Sequence, residues 1–131
     1  MTTTDTTAIS QIANVIIPVR DQDAMVAFYT DKLGLEKRVD IPFGNGDRWV
    51  EVGPADAQTP IALSPPGPSN EAGGRQTGIV LQVADIDSVR DSLAEKGVDI
   101  DAEVSRMGDP VPPLCWLRDP EGNELMLVEV A

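Results

Sequence analysis

The sequence predicts an α+β fold made of two tandem βαβββ modules, and three observations predict it. The first is an internal repeat. Asn14 to Leu35, NVIIPVRDQDAMVAFYTDKLGL, returns from Gly78 as GIVLQVADIDSVRDSLAEKGV, with Asn14 over Gly78, Val19 over Val83, Asp21 over Asp85 and Asp23 over Asp87. A repeat of this kind means that one supersecondary unit is built twice. The second is the grammar inside each copy: an Ile/Val-rich run, an Asp, then apolar residues at helical spacing closed by a glycine. The third is the turn chemistry that follows each copy, where Gly, Pro, Asn and Asp separate short alternating runs. A chain of 131 residues is long enough to bury one sizeable core without a disulfide or a metal.

Taken in order, QIANVIIPV over residues 11–19 reads as a strand buried on both faces, with Pro18 marking an edge strand or its end. Asp21 is the N-cap of a helix whose Met25, Phe28, Tyr29 and Leu33 share one face, and Gly34 closes it. Strands are expected at 35–41 and 48–52 around the hairpin signal Asn45-Gly46, and a short one at 61–64. PPGPSNEAGGR, residues 65–75, is the Pro/Gly-rich seam between the halves. The second half follows with a strand at 77–83 and a helix capped by Asp85, with Ile86, Val89 and Leu93 inward and Gly97 at its end. A strand at 98–104 comes next, then an irregular loop held out of a central strand by three prolines. Strands at 114–118 and 124–130 flank the tight turn DPEGN. The expected organisation is a disordered tail over 1–10, a first module over 11–66, a loop over 67–76 and a second module over 77–131.

The formal charge is −12, from 22 acidic and 10 basic residues. Phosphate backbones would be repelled, so a nucleic-acid partner is not expected, whereas a cationic ligand is compatible. No apolar run reaches membrane-spanning length, and the start MTTTDTT lacks the basic and apolar regions of a signal peptide. A single cysteine, Cys115, can form no internal bridge and fits a reducing compartment. The expectation is a cytoplasmic protein with no membrane partner.

Strand alternation sorts the side chains into two faces. Val50 and Val52 form the apolar set of their strand and should meet the helix, which leaves Trp49 and Glu51 on the other face. Trp116 and Arg118 likewise oppose Cys115 and Leu117, so each module offers Trp-x-charge on its helix-free face. Asn14, Gln82, Glu124 and Met126 join that face from the first, fifth and eighth strands. A mostly apolar wall with a few polar groups is the chemistry of a small-molecule site. Each Trp reads either as core or as a ligand platform. Glu51 and Arg118 either pair with each other or orient a ligand. Cys115, on the helix side, reads as a small core residue.

Tandem βαβββ modules with FYTDKLGL after the first strand and WLRDPEGNELMLVE at the end resemble the vicinal oxygen chelate superfamily, which includes glyoxalase I, extradiol dioxygenases, and fosfomycin and bleomycin resistance proteins. The resemblance spans about Ile12 to Glu129. It implies a curved mixed sheet or half-barrel cup with helices on its convex face, and a homodimer. In the metal-dependent members the resemblance puts ligands at the places held here by Asn14, Gly78 and Met126, and near Ala62. Asn is a weak neutral donor, Gly and Ala offer no side chain, and Met is a soft ligand unsuited to Mg, Mn or Zn. The chain contains no histidine, so imidazole ligation and His acid–base chemistry are both excluded.

Two functions follow. The first is a metal-free, cofactor-free binding or sequestration protein for a cationic or aromatic small molecule, held between Trp49 and Trp116 and oriented by Glu51 and Arg118. The alternative is a lyase, isomerase or dioxygenase-type enzyme of the same superfamily. It would use a non-standard carboxylate site in which Glu51 and Glu124, with Asn14, hold a divalent ion, or in which Glu51 is a metal-free general base.

Overall fold

The computed structural model describes residues 8–68 and 70–130. The first module runs β1 (Val15–Pro18), α1 (Gln22–Ala27), a π-helical turn over Phe28–Lys32, β2 (Glu36–Gly44), β3 (Asp47–Gly53) and β4 (Ile61–Ser64). The second runs β5 (Gln76–Val83), α2 (Ile86–Glu95), β6 (Asp99–Ile100), β7 (Leu114–Arg118) and β8 (Glu124–Glu129). The strands form two open four-stranded sheets, ordered β1-β4-β3-β2 and β5-β8-β7-β6. In each, the first strand of the module lies parallel to the last and the other pairs are antiparallel.

The repeat is kept down to single hydrogen bonds. Asp21 caps α1 by accepting from Ala24 N at 2.9 Å, and Asp85 caps α2 by accepting from Ser88 N at 3.1 Å. Gly34 and Gly97 both end their helical segments at positive φ, 74° and 84°, the conformation that glycine adopts without a steric penalty. Asp23 and Asp87, each in a first helical turn, bind arginines from the rest of their own modules, Arg48 at 2.7 Å and Arg106 at 2.6 Å.

The helix-facing sides of the two sheets share one core. Ile17, Val52 and Leu63 from the first sheet and Leu117, Leu125 and Leu127 from the second are buried together with Met25, Phe28 and Tyr29 before them and Ile86 and Leu93 of α2. The Asp119–Asn123 turn fastens the modules across this core. The Asp119 carboxylate accepts from Glu121 N, Asn123 N, Asn123 Nδ2 and, at 2.8 Å, from the hydroxyl of Tyr29. Burial first, then the charge and hydrogen bond of Asp119, push the Tyr29 phenol far above its ordinary range. Glu121 reaches the start of the other helix, where its carboxylate accepts from Arg20 N and Asp21 N at 2.8–3.0 Å. DPEGN is therefore a joint as well as a turn.

Two expectations change, and the seam gains anchors. The first strand begins at Val15 and is not buried on both faces. Ile16 is exposed because only one side of the sheet carries a covering layer, and Val15, on the same side as buried Ile17, is exposed at the strand's open end, where it borders a cleft. The strand expected over 98–104 pairs only through Asp99–Ile100. The Asp101 carboxylate accepts Trp116 N–H at 3.0 Å, so a side chain takes the place of the next ladder carbonyl and the chain departs. The seam is pinned at three points: Arg20 Nη2 donates to the carbonyl of buried Ala72 at 2.8 Å, Gly74 N donates to the carbonyl of Glu121 at 2.9 Å, and Glu124 N donates to the carbonyl of Arg75 at 2.8 Å. Residues 1–7 of the expected tail lie outside the described residues, and residues 8–14 carry no helix or strand.

Candidate ligand-binding site

The helix-free faces of both sheets carry the predicted site residues. Register on the first sheet aligns Ile16, Ala62, Glu51 and Val39 in one row across four strands, with Trp49 beside Ile41 in the next. Val50 and Val52, of opposite parity, are fully buried against the helix, as alternation requires. Trp49 and Glu51 are half-buried, and Trp49 Nε1 donates to Glu51 Oε2 at 2.8 Å. This bond satisfies the indole N–H, holds the ring against the sheet and fixes the carboxylate beside it. The Glu51 carboxylate keeps further lone pairs for a donor from outside.

On the second sheet the corresponding row is Val80, Met126 and Trp116, and Arg118 pairs with Glu124 in the row beside it. Arg118 does not meet Glu51. Its guanidinium is held by Asp101 at 2.8 Å, Glu124 at 3.1 Å and Asp99 at 3.5 Å. The Asp101 hydrogen bond is the main cause that raises its pKa further above the ordinary guanidinium value. One cation among three carboxylates leaves the face acidic, and Gln76 Nε2 donates to Glu124 at 3.2 Å. Asp99 and Asp101 were not singled out from sequence. The signal was available in their i, i+2 spacing at the start of the sixth strand, the same alternation that selected Trp116 and Arg118. Cys115 is buried on the helix side, where burial pushes its thiol pKa up.

The matched Trp-x-charge pattern needs correction. Ala62 pairs with Glu51 and its counterpart Met126 pairs with Trp116. Glu51, not Trp49, thus occupies the place of Trp116 in the repeat, and Trp49 stands where the second module has Leu114. The two modules offer different surfaces: an indole pinned by a carboxylate on one, an indole beside a carboxylate-clamped arginine on the other. Asn14 is half-buried just ahead of β1, and Gln82 is exposed on β5. Gln82 also lines a cleft of about 580 Å³ between the modules, bounded by Gly78, Val80, Pro54 and Ile61.

Two open sheets, parallel first and last strands in each module and a shared helical core form a recognised architecture. The family model described as Glyoxalase/Bleomycin resistance protein/Dioxygenase superfamily matches residues 9–127. The chain belongs to this superfamily. A superfamily member from Sphaerobacter thermophilus DSM 20745 is similar in structure, with a TM-score of 0.83, 35% identity and coverage of 93% of this chain and 98% of that one. TnmS3, an antibiotic binding protein from Streptomyces sp. CB03234, gives a TM-score of 0.81 at 30% identity over 95% of this chain and 98% of its own. The uncharacterized protein YurT of Bacillus subtilis (strain 168) is 33% identical over 85% of this chain and 92% of its own length.

The superfamily's metal does not fit the residues that this member presents. Ala62 is fully buried and carries no donor, and Met126 presents a thioether. Gly78 stands at φ 73° inside an irregularity of β5, a backbone conformation strained for any side chain, so a ligand could not simply be restored there. Only Asn14 offers an oxygen, and one neutral oxygen does not make a divalent-ion site.

Proposed function

We propose that this superfamily member is a metal-free binding protein that sequesters a flat, cationic small molecule as a homodimer, the indoles of Trp49 and Trp116 supplying the stacking surface. The observation that carries this reading is the Trp49–Glu51 hydrogen bond on an open sheet face. It presents an oriented ring with a negative charge at its edge, the pairing that attracts an aromatic cation. The carboxylates around Arg118 act in the same sense. Likeness to an antibiotic binding protein at 30% identity supports a binding role. The exposed Ile16, Ile41, Phe43 and Val80 on the open faces support a partner copy, because apolar area of this kind is costly to leave in water.

Both tryptophans of the chain lie on these faces, so intrinsic fluorescence reads the site directly. Titration with ethidium, a planar cation, should quench the fluorescence saturably. Glu51→Gln should weaken binding several-fold and lessen its salt dependence, since an oriented, partly desolvated charge attracts a cation more than one in water does. Stacking is worth about 1 kcal/mol beyond area burial, so Trp49→Ala and Trp116→Ala should each cost at least about fivefold in affinity while the melting transition is kept. Unchanged affinity in both tryptophan variants would remove the proposal.

A further inference from the structure

We propose that the crevice between α2 and the end of the first helical segment is a second binding site. It takes a medium-chain carboxylate, with the alkyl tail between the modules and the head group at Lys32 and Lys96. The site is separate from the tryptophan faces, since neither Trp49 nor Trp116 lines it. Its inner part is a hollow of about 140 Å³, walled by Leu33 and Leu35 of the first module and Val83, Val89, Leu93 and Leu127 of the second. Gln82 brings the one polar side chain on that wall. Well-packed interiors leave few voids larger than a water molecule. An apolar hollow of roughly this size stays dry and accepts a hydrocarbon. Leu33, Leu35, Val83 and Val89 are only half-buried, so the hollow opens outward and keeps apolar area that a tail would cover.

The hollow meets a groove of about 260 Å³ that shares Leu33, Val89 and Leu93 with it and adds Lys32, Ser88, Ser92 and Lys96. Lys32 Nζ donates to the carbonyl of Lys96 at 2.7 Å, which holds the two lysines together. This bond uses one of the three N–H donors of Lys32 and leaves two. Among the described residues neither ammonium pairs with a carboxylate. In a chain of 22 acidic and 10 basic residues, two unpaired cations at one opening reverse the sign of the surface locally.

Charge and lining together choose the occupant. A carboxylate accepts charge-assisted hydrogen bonds from ammonium groups, and no protein carboxylate competes for these two. Beyond the lysines the wall offers little to hold a second polar group, so the rest of the ligand is hydrocarbon. A tail suits the site because the apolar wall continues from groove to hollow through Leu33, Val89 and Leu93. Lys32 and Lys96 also stand at the C-terminal ends of their helical segments, where a cation offsets the helix dipole. Affinity and melting separate these two roles.

The test titrates octanoate into the full chain by isothermal calorimetry, with octanol and octylamine as controls that carry the same tail. Octanoate should bind saturably, at least about threefold more tightly than either control, the scale of two exposed charge pairs. Hexanoate should bind several-fold more weakly, because it buries fewer methylenes. Intermolecular NOEs should run from the octanoate chain to the methyl groups of Leu33, Val89 and Leu93. Lys32 and Lys96 are exposed, so Lys32→Ala with Lys96→Ala should fold as the parent does and bring octanoate down to the affinity of octanol. Absence of saturable binding, NOEs confined to other residues, or octanol binding as tightly as octanoate would overturn the proposal. So would a double variant that binds octanoate as the parent does; a lowered melting transition alone would make the lysines helix caps and nothing more.

Discussion

At the scale of single residues, the buried Tyr29–Asp119 hydrogen bond is the contact with the clearest consequence, because Tyr29 is the only tyrosine in the chain. Tyr29→Phe removes a donor to a buried carboxylate and should destabilise the protein by about 1.5–3 kcal/mol, the range for hydrogen bonds to charged groups. Urea unfolding measures this. The ionisation has a sign that can be tested separately. A phenol whose pKa is raised on folding contributes stability that is fully present below the unfolded value of 10.0 and is lost as pH rises above it. The ultraviolet signal of tyrosinate should therefore stay absent through pH 10 while the protein is folded and appear together with unfolding. A smooth titration near pH 10 in the folded protein would contradict the buried geometry. This bond was not legible in the sequence. Tyr29 was placed correctly on the inner face by its helical spacing, but nothing local says that Asp119, ninety residues on, is its acceptor.

At the scale of elements, what the sequence encodes locally was readable and what depends on pairing was not. The helix starts at Asp21 and Asp85 are set by a carboxylate that accepts an N–H three residues on, and that signal lies within four residues. Strand parity at Val50/Val52 and Trp116/Arg118 follows from alternation alone. The length of β6 and the partner of Trp116 do not, because they depend on how Asp101 displaces a ladder bond and on how many residues separate the paired strands. Glu51 and Ala62 lie eleven positions apart and Trp116 and Met126 ten, so the equivalences of the repeat slip after its helix. The Asp85 cap supports a pH prediction. Hydrogen bonds from Ser88, the backbone one foremost, hold this carboxyl below its ordinary value of 3.8. Its contribution is therefore present above that pH and lost as pH falls through the lowered folded value. Asp85→Ala should lower the urea midpoint at neutral pH. Asp85→Asn should restore most of it, since Asn also caps, and should lose less stability between pH 5 and pH 2 (roughly the range in which an Asp titrates). Equal acid sensitivity in Asp85→Asn and the parent would show that the cap charge is not the titrating group.

At the scale of the whole molecule, the question is whether two repeated modules behave as one body. Their sheets are separate, and no strand of one pairs with a strand of the other among the described residues. What joins them is the shared apolar core and the Asp119–Asn123 turn, which reaches Tyr29 through Asp119 and Arg20 and Asp21 through Glu121. One tryptophan lies in each module, so Trp116→Phe leaves Trp49 to report on the first and Trp49→Phe leaves Trp116 to report on the second. Because the core is common, both probes should give one urea midpoint in the parent, as a two-state domain requires. Asp119→Ala leaves the Tyr29 hydroxyl, the Asn123 side chain and two turn N–H groups without their acceptor. At about 1–3 kcal/mol for each buried group that stays unsatisfied, the loss should be on the order of 3 kcal/mol or more. It should appear equally at both tryptophans although the substitution lies in the second module. A shift confined to Trp116 would mean that the modules unfold independently and that the turn braces only its own half. A common shift would mean that the joint written into DPEGN makes a single cooperative molecule of the two repeats, and holds the Trp49 and Trp116 faces in a fixed relation for a ligand to use.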